Sequence, residues 1–356
     1  MTDSRLQTLV VAMLLFACGT ANSQAPRAAA LDLPATFTGD LPCADCTAIR
    51  HHLDLWPDGV YHLHREWVGR NLARDQIGRW QMDAATGTLI LQGSAEKSSQ
   101  WEIKGARSLR QLDQKGAPIV SNLPYELTSD GKLASARMSL SMGGELTYMA
   151  DSLRITECLT GRNYPVAQEG DSRVMERAYV ANVKSPGAPL YVTVEGSIED
   201  RPKIEAAGTQ TNVVVRRFID AWPAQSCERA RADSALIDTY WKFVRMAGNP
   251  VRVIDNHREP SLVLRGAGQA GGGRPGYSAT VGCNQLGGTF DIKGDALTFG
   301  AGISTLMACA PPLGDMERRL SETLEKTRHW QVTGPTLELM DEQGESLALL
   351  EAVYLK

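Results

Sequence analysis

HHLDLWPDGVYHLHREW occupies residues 51–67. Apolar and polar side chains alternate on both sides of Trp56-Pro57-Asp58-Gly59, the period of a strand whose successive side chains point to opposite faces. The Pro-Asp-Gly centre specifies a type I turn with Gly59 in the left-handed region, a three-residue loop with a bulge. The stretch therefore reads as a β-hairpin. On that register Asp54 stands opposite His62, and His52 opposite His64. Leu53, Leu55, Tyr61 and Leu63 share a core face. His52, Asp54, His62 and His64 share the other, with cross-strand Cβ atoms ~5 Å apart. Three imidazoles and a carboxylate suit Zn(II) or Cu(II). The same pattern also fits an ordinary polar face on a half-exposed strand.

Working outward, residues 35–152 keep this character. Alternating runs such as IGRWQMDAATGTLILQGS (77–94) and SQWEIKGARSLRQLD (99–113) are separated by turn signals, which predicts a small antiparallel β-barrel. Residues 153–235 read as a second small β domain, with strands in APLYVTVEGSIEDRP and TQTNVVVRRFIDAW and a short helix in RVMERAY. Residues 236–356 form a third, α+β unit with one main helix, DMERRLSETLEKTRHW, in which Met316, Leu320, Leu324 and Thr327 line one side. A hairpin around Asp-Glu-Gln-Gly (341–344) closes the chain. GAGQAGGGRPG (266–276) is glycine-rich, but no Lys-Ser/Thr follows and no strand–loop–helix frame surrounds it, so it is no phosphate cradle. His257 and His329 stand alone. The pattern as a whole is mainly β. The net charge of −4 and the absence of a basic run argue against nucleic acid as a partner.

The compartment decides what the cysteines can do. LVVAMLLFA (9–17) is too short to span a bilayer but has the length of a signal-peptide h-region. Ala17 precedes Cys18 as a small residue precedes the lipid-accepting cysteine of a bacterial lipobox, with Phe16 larger than usual at its position. Residues 1–17 are expected to be a lipoprotein signal peptide, Cys18 the lipidated residue, and 18–34 a flexible tether. The alternative is a soluble secreted chain cut after Ala17 or Ala21. Gly19 follows the cysteine where an inner-membrane-retention Asp would stand. That gives an outer-membrane, periplasm-facing, lipid-anchored protein, with membrane lipid as its first partner. Six of the seven cysteines then remain, an even number in an oxidising compartment, and disulfides come first. Cys158 and Cys227 bracket the middle domain, and Cys283 and Cys309 bracket two strands of the third. Both pairs read as structural, with free buried thiols as the alternative. Cys43-x-x-Cys46 closes too small a ring for stabilisation to be its main purpose. A resting disulfide that switches to thiols, or to thiolates holding Cu(I), is the functional reading.

FTGDLPCADCTAIRHHLDLWPDGVYHL (37–63), IGRW (77–80) and LRQLDQKGAPI (109–119) together resemble the N-terminal domain of the NlpE copper-homeostasis lipoproteins. Cys43 and Cys46 fall on that family's Leu-Pro-Cys-x-x-Cys motif; Ala48 departs from it, since glycine is commoner there. Residues 160–230 are similar to the oligonucleotide-binding-like (OB-like) barrel that follows in some members. VGCNQLGGTFDIKGDALTFGAGISTLMAC (281–309) with MERRLSETL (316–324) resembles a META domain. The resemblance implies copper tolerance and envelope stress sensing, with an envelope signalling protein as partner. It requires no cofactor, and copper is the one ion it brings. It implies no enzyme. A thioredoxin-like oxidoreductase needs its Cys-x-x-Cys at a helix start in a βαβ frame, and none surrounds this pair. The other alternative is a scaffold or ligand-binding lipoprotein whose disulfides are all structural.

Overall fold

The computed structural model describes residues 31–353 apart from 71, 84–85, 94–98, 204–206, 232 and 267–274. The signal peptide, Cys18, most of the tether and most of the glycine-rich loop lie outside the described residues.

The first domain is a ring of eight strands: β1 (Ala35–Leu41), β2 (Ala48–Leu55), β3 (Val60–Val68), β4 (Leu72–Asp83), β5 (Thr88–Gln92), β6 (Ser99–Gly105), β7 (Ser108–Gln111) and β8 (Glu126–Thr128). Each pairs antiparallel with the next, and Thr38 opposite Thr128 closes the barrel. The 51–67 hairpin is β2–β3 in the expected register, Asp54 opposite His62 and His52 opposite His64. Gly59 sits at φ +81° and its N–H donates to the Trp56 carbonyl. Its apolar face fills the barrel: Phe37, Leu53, Leu55, Tyr61, Leu63, Trp101 and Leu109 are buried together, each worth roughly 1.5–3 kcal/mol.

The second domain contains β9 (Met138–Met149), β10 (Ser152–Glu157), β11 (Asn163–Pro165), α1 (Ser172–Asn182), β12 (Leu190–Pro202) and β13 (Thr209–Trp222). Its sheet runs β11-β10-β9-β12-β13, and a parallel bridge from Val166 to Val213 draws the two ends together. This is the partly open five-stranded barrel expected of an OB-like unit. The domain boundary differs from the sequence expectation of 152/153. β9 pairs with β10 and β12, so the second domain begins before Met138. The alternation of MSLSMGGELTYM looks the same in either barrel, and only pairing assigns it.

The short α2 (Glu228–Arg231) connects to the third domain, which contains β14 (Tyr240–Met246), β15 (Asn249–Pro250), β16 (Ser261–Arg265), β17 (Gly276–Thr280), β18 (Gln285–Lys293), β19 (Ala296–Phe299), β20 (Ile303–Ser304), α3 (Leu313–Lys326), β21 (His329–Thr333), β22 (Thr336–Met340) and β23 (Ser346–Val353). Strands β14, β16–β19 and β21–β23 form a second closed ring, because β23 returns to pair with β14. The expected helix is α3. It turns Leu320 and Leu324 into the core with Trp241, Phe243 and Leu350, while Met316 packs at the margin. Thr327 is its C-cap, fully buried, and donates its hydroxyl to the Thr323 carbonyl.

Glycine is required where β4 crosses β5. A Cβ on Gly78 would stand inside contact distance of the Gln92 carbonyl and the Gly93 Cα. Gly78→Ala should therefore destabilise the protein by about 1–3 kcal/mol through overpacking, measured as a lowered urea midpoint with an unchanged slope.

Candidate functional site: the cysteine loop and the histidine seam

The loop from β1 to β2 carries Cys43 and Cys46, joined as a disulfide with Cα atoms 5.3 Å apart. Both are half-buried, while Ala44 and Asp45 between them are exposed. Asp45 Oδ1 lies 3.5 Å from Cys43 Sγ. Arg70, in the β3–β4 turn, ion-pairs with the Asp45 carboxylate and donates to its backbone carbonyl at 3.1 Å. A reductant or a soft cation can approach the sulfurs from solvent, and a carboxylate is already beside them. Once reduced, the loop offers two sulfurs and one oxygen, whose ligand atoms all lie within 4.8 Å of one another.

The other disulfides are placed differently. Cys158–Cys227 is buried beside Tyr191 and Ala230 and spans 69 residues. Cys283–Cys309 spans 26 residues and joins the start of β18 to the segment before α3. Asn284 Nδ2 donates to Glu317 Oε2 there at 3.0 Å. Chain entropy assigns about 4.4 and 3.6 kcal/mol to these loops but only about 2 kcal/mol to the Cys43–Cys46 ring.

The histidine face is not the half-exposed surface that the alternation suggested. It is a seam against the chain leading into β9. Asp54 is completely buried. Its Oδ1 accepts from Thr36 Oγ1 at 2.5 Å and lies 3.2 Å from His52 Nε2; its Oδ2 accepts from the Ala136 N–H at 3.1 Å. Thr36 Oγ1 accepts in turn from the Ala134 N–H. Asp75 on β4 accepts from the Ser139 N–H and faces His64 Nδ1, each at 2.6 Å. His62 is buried with its ring edge against Trp56, centroids 4.7 Å apart, and among the described residues its Nε2 has no hydrogen-bond partner. Arg162 lies over the other side of this corner. Its guanidinium stacks 4.4 Å from the Trp56 ring and grips Asp58 at 3.0 Å. The four residues are thus neighbours in register, yet two separate carboxylates take His52 and His64. Among the described residues, the groups with metal-ligand spacing are Cys43, Asp45, Cys46 and Cys283, Cys309, Glu317, and the histidine face is not among them.

Protonation follows from burial. Desolvation lowers His51 and His62 to about pKa 4, although nearby carboxylates pull the other way. The hydrogen bond to Asp54 raises His52.

The sequence did not single out a second junction, between the middle and third domains. Arg229 of α2 pairs with Glu351 of β23 at 3.4 Å, both buried, and stacks 4.3 Å from the Trp222 ring. Burial pushes Glu351 up to about 7 against the pull of Arg229. Residues 229 and 351 lie 122 positions apart, and the only local sign was a Glu inside the otherwise apolar LALLEAV.

The fold and the site define a three-domain, disulfide-bearing β protein with an accessible Cys-x-x-Cys loop. Three family models match in sequence: the NlpE N-terminal domain over 37–122, the NlpE C-terminal OB domain over 136–228 and the META domain over 234–354. Lipoprotein NlpE of Escherichia coli is 32% identical over 215 residues, which cover 58% of this chain and 85% of that protein. Among solved structures, that of the Cpx pathway activator NlpE from Escherichia coli shares 27% identity, covering 55% of this chain and 98% of that one, with a TM-score of 0.24. A lipoprotein from Shewanella oneidensis shares 27% identity over 29% of this chain and 93% of its own, with a TM-score of 0.26. The chain belongs to the NlpE lipoprotein family and carries a META domain after the two NlpE domains. Among the described residues, no helix is long and apolar enough to cross a membrane.

Two outcomes follow. Cys158→Ser with Cys227→Ser should lower stability by about 4 kcal/mol, and Cys43→Ser with Cys46→Ser by about 2 kcal/mol or less, read by denaturant unfolding. For His62, the unfolded imidazole (pKa ~6.5) takes up a proton that the folded one refuses until about pH 4. Stability from this group is complete above pH 6.5 and is lost as pH falls towards 4, by about 3 kcal/mol at most. Glu351 opposes this, since a raised carboxyl pKa favours the fold at lower pH. His62→Phe isolates the imidazole: the variant should gain stability relative to wild type as pH is lowered from 7 to 4.5.

Proposed function

We propose that this protein is a non-catalytic envelope lipoprotein that senses stress and supports copper tolerance, with the Cys43–Cys46 pair as its responsive element. The observation that carries the reading is the contrast among the disulfides. One pair closes a short ring in a half-buried loop with exposed residues between its cysteines, and the other two tie distant parts of the chain. Two thiolates suit Cu(I), and the Asp45 carboxylate beside them adds negative charge. Reduction or metal capture at this loop would also disturb the Arg70–Asp45 contact that ties it to the β3–β4 turn. That would change the surface presented at one end of the first barrel. The related Escherichia coli NlpE is described as the Cpx pathway activator, so the partner we assign is an envelope signalling protein of that kind. Anchoring through Cys18 to the outer membrane, facing the periplasm, belongs to the same proposal.

The test is a Cu(I) titration of the reduced soluble protein against a competing chelator. Wild type should bind one ion, and Cys43→Ser with Cys46→Ser should weaken binding at least a hundredfold. Equal affinity in the two proteins excludes the thiols as the site. Thiol trapping in the envelope separates this from a purely structural role: Cys43 and Cys46 should become labelled under reducing or copper stress, whereas Cys158, Cys227, Cys283 and Cys309 stay blocked. Under the structural alternative all six stay blocked.

A further inference from the structure

A cavity of about 360 Å³ opens where the three domains meet. One wall is β9 from Ser139 to Gly143, another is β4 from Leu72 to Ile77, and β21–β23 face them. The β9 wall is a sheet edge. β9 pairs with β12 from Met138 to Leu146, but its pairing with β10 starts only at Gly144. In an antiparallel ladder, alternate residues aim their backbone groups to opposite sides. Here the Ser139 N–H leaves the edge towards Asp75, and the Gly143 carbonyl leaves it to accept from the Cys158 N–H. The intervening Ser141 shares their phase, so its N–H and C=O also point off the edge. Among the described residues, no strand pairs with Ser141 on that side.

A second, independent observation points into the same space. Tyr191, 1% exposed, contributes to the lining; among the described residues its hydroxyl meets no acceptor, and its polar neighbour, the Arg229 guanidinium, can only donate. Gly143 makes room for it, because a Cβ there would strike the phenol oxygen. A buried donor left without an acceptor is costly, and a ligand acceptor would recover that cost. The lining charges balance, with Arg65, Arg74 and Arg245 against Asp75, Glu157 and Glu338. No net field selects an ionic ligand, and the directional feature is the backbone donor–acceptor pair on the exposed edge.

We propose that this junction is a binding site for an extended, uncharged peptide segment. The segment pairs in extended form with β9 at Ser141, the rung left between the groups that Asp75 and Cys158 occupy, and one of its oxygens accepts from the Tyr191 hydroxyl. Main-chain pairing of this kind supplies affinity without demanding a particular sequence. The site is separate from the cysteine loop and does not depend on its redox state.

The test uses the full mature chain, oxidised, with a fluorescent, terminally blocked hexapeptide of alternating threonine and valine. Binding is read by anisotropy and by amide exchange of residues 138–143. The Ser141 and Gly143 amides should slow at least tenfold at saturating peptide. A peptide N-methylated on alternate residues, unable to pair, should bind at least tenfold more weakly. Tyr191→Phe should weaken binding about fivefold, since the hydroxyl is the one donor it removes. Ser141→Pro should abolish binding, a substitution that a free edge position accepts; if it fails to fold, the N-methylated peptide carries the same test. Unchanged exchange at Ser141 under saturating peptide overturns the proposal, as does equal binding of the N-methylated peptide or no binding at all.

Discussion

The arrangement of the first two domains depends on a carboxylate that water cannot reach. Asp54 sits on β2 with zero exposure. Its oxygens are met by a threonine of β1, a histidine of its own strand and a backbone amide from the linker. Charged acceptors form stronger hydrogen bonds than neutral ones, and a buried one left unpaired is costly. The carboxylate is therefore accommodated only when the segment 134–136 lies across the hairpin. Asp75 repeats the device one strand over, on Ser139. The two acids fix where β9 starts, and with it the placement of the OB-like sheet against the barrel. The histidines then serve as partners of these acids at the seam, or, for His62, as a neutral ring packed on Trp56.

The same logic separates the roles of the sulfurs. Cys158–Cys227 ties the end of β10 to the residues before α2, which carries the Arg229 that pairs with Glu351. It therefore supports both the middle barrel and its junction with the META ring. Cys283–Cys309 holds a loop whose polar groups Asn284 already organises: its side chain accepts from the Met307 N–H and donates to the Met307 carbonyl. Cys283–Cys309 is half-buried as Cys43–Cys46 is, but it spans 26 residues rather than 3. Cys43–Cys46 closes a short ring that ties little together, the contrast on which the proposed responsive role rests.

Much of the fold was legible because it is local. The Pro-Asp-Gly turn set the register of β2–β3 residue for residue, and the α3 pattern placed Leu320 and Leu324 correctly in a core. What alternation cannot report is which surface covers a polar face. His52, Asp54, His62 and His64 looked solvated because they are polar, yet their covering segment lies some 80 residues downstream in a stretch, LASARM, with little pattern of its own. The same face continues into Arg50 and Glu66, an exposed ion pair at 3.4 Å, so its composition did not mark where the cover begins. The boundary error has the same origin, since β9 is assigned by its partners. Arg229 and Glu351 were missed for a related reason: a long-range buried pair leaves only one unusual residue at each end. At the cysteine loop the motif itself carried the information, and the structure added its solvent access and the Arg70–Asp45 clasp.

Both outer domains are rings whose last strand hydrogen-bonds to the first. A closed ladder has no terminal rung, so neither can serve as a template for stacking copy upon copy. This matters most for molecules crowded together at a surface, where lateral encounters are frequent. In the central domain, the unpaired stretch of β9 is recessed in a cleft with a neighbour on each side. A docking strand would find room there, and a second whole molecule would meet a steric barrier.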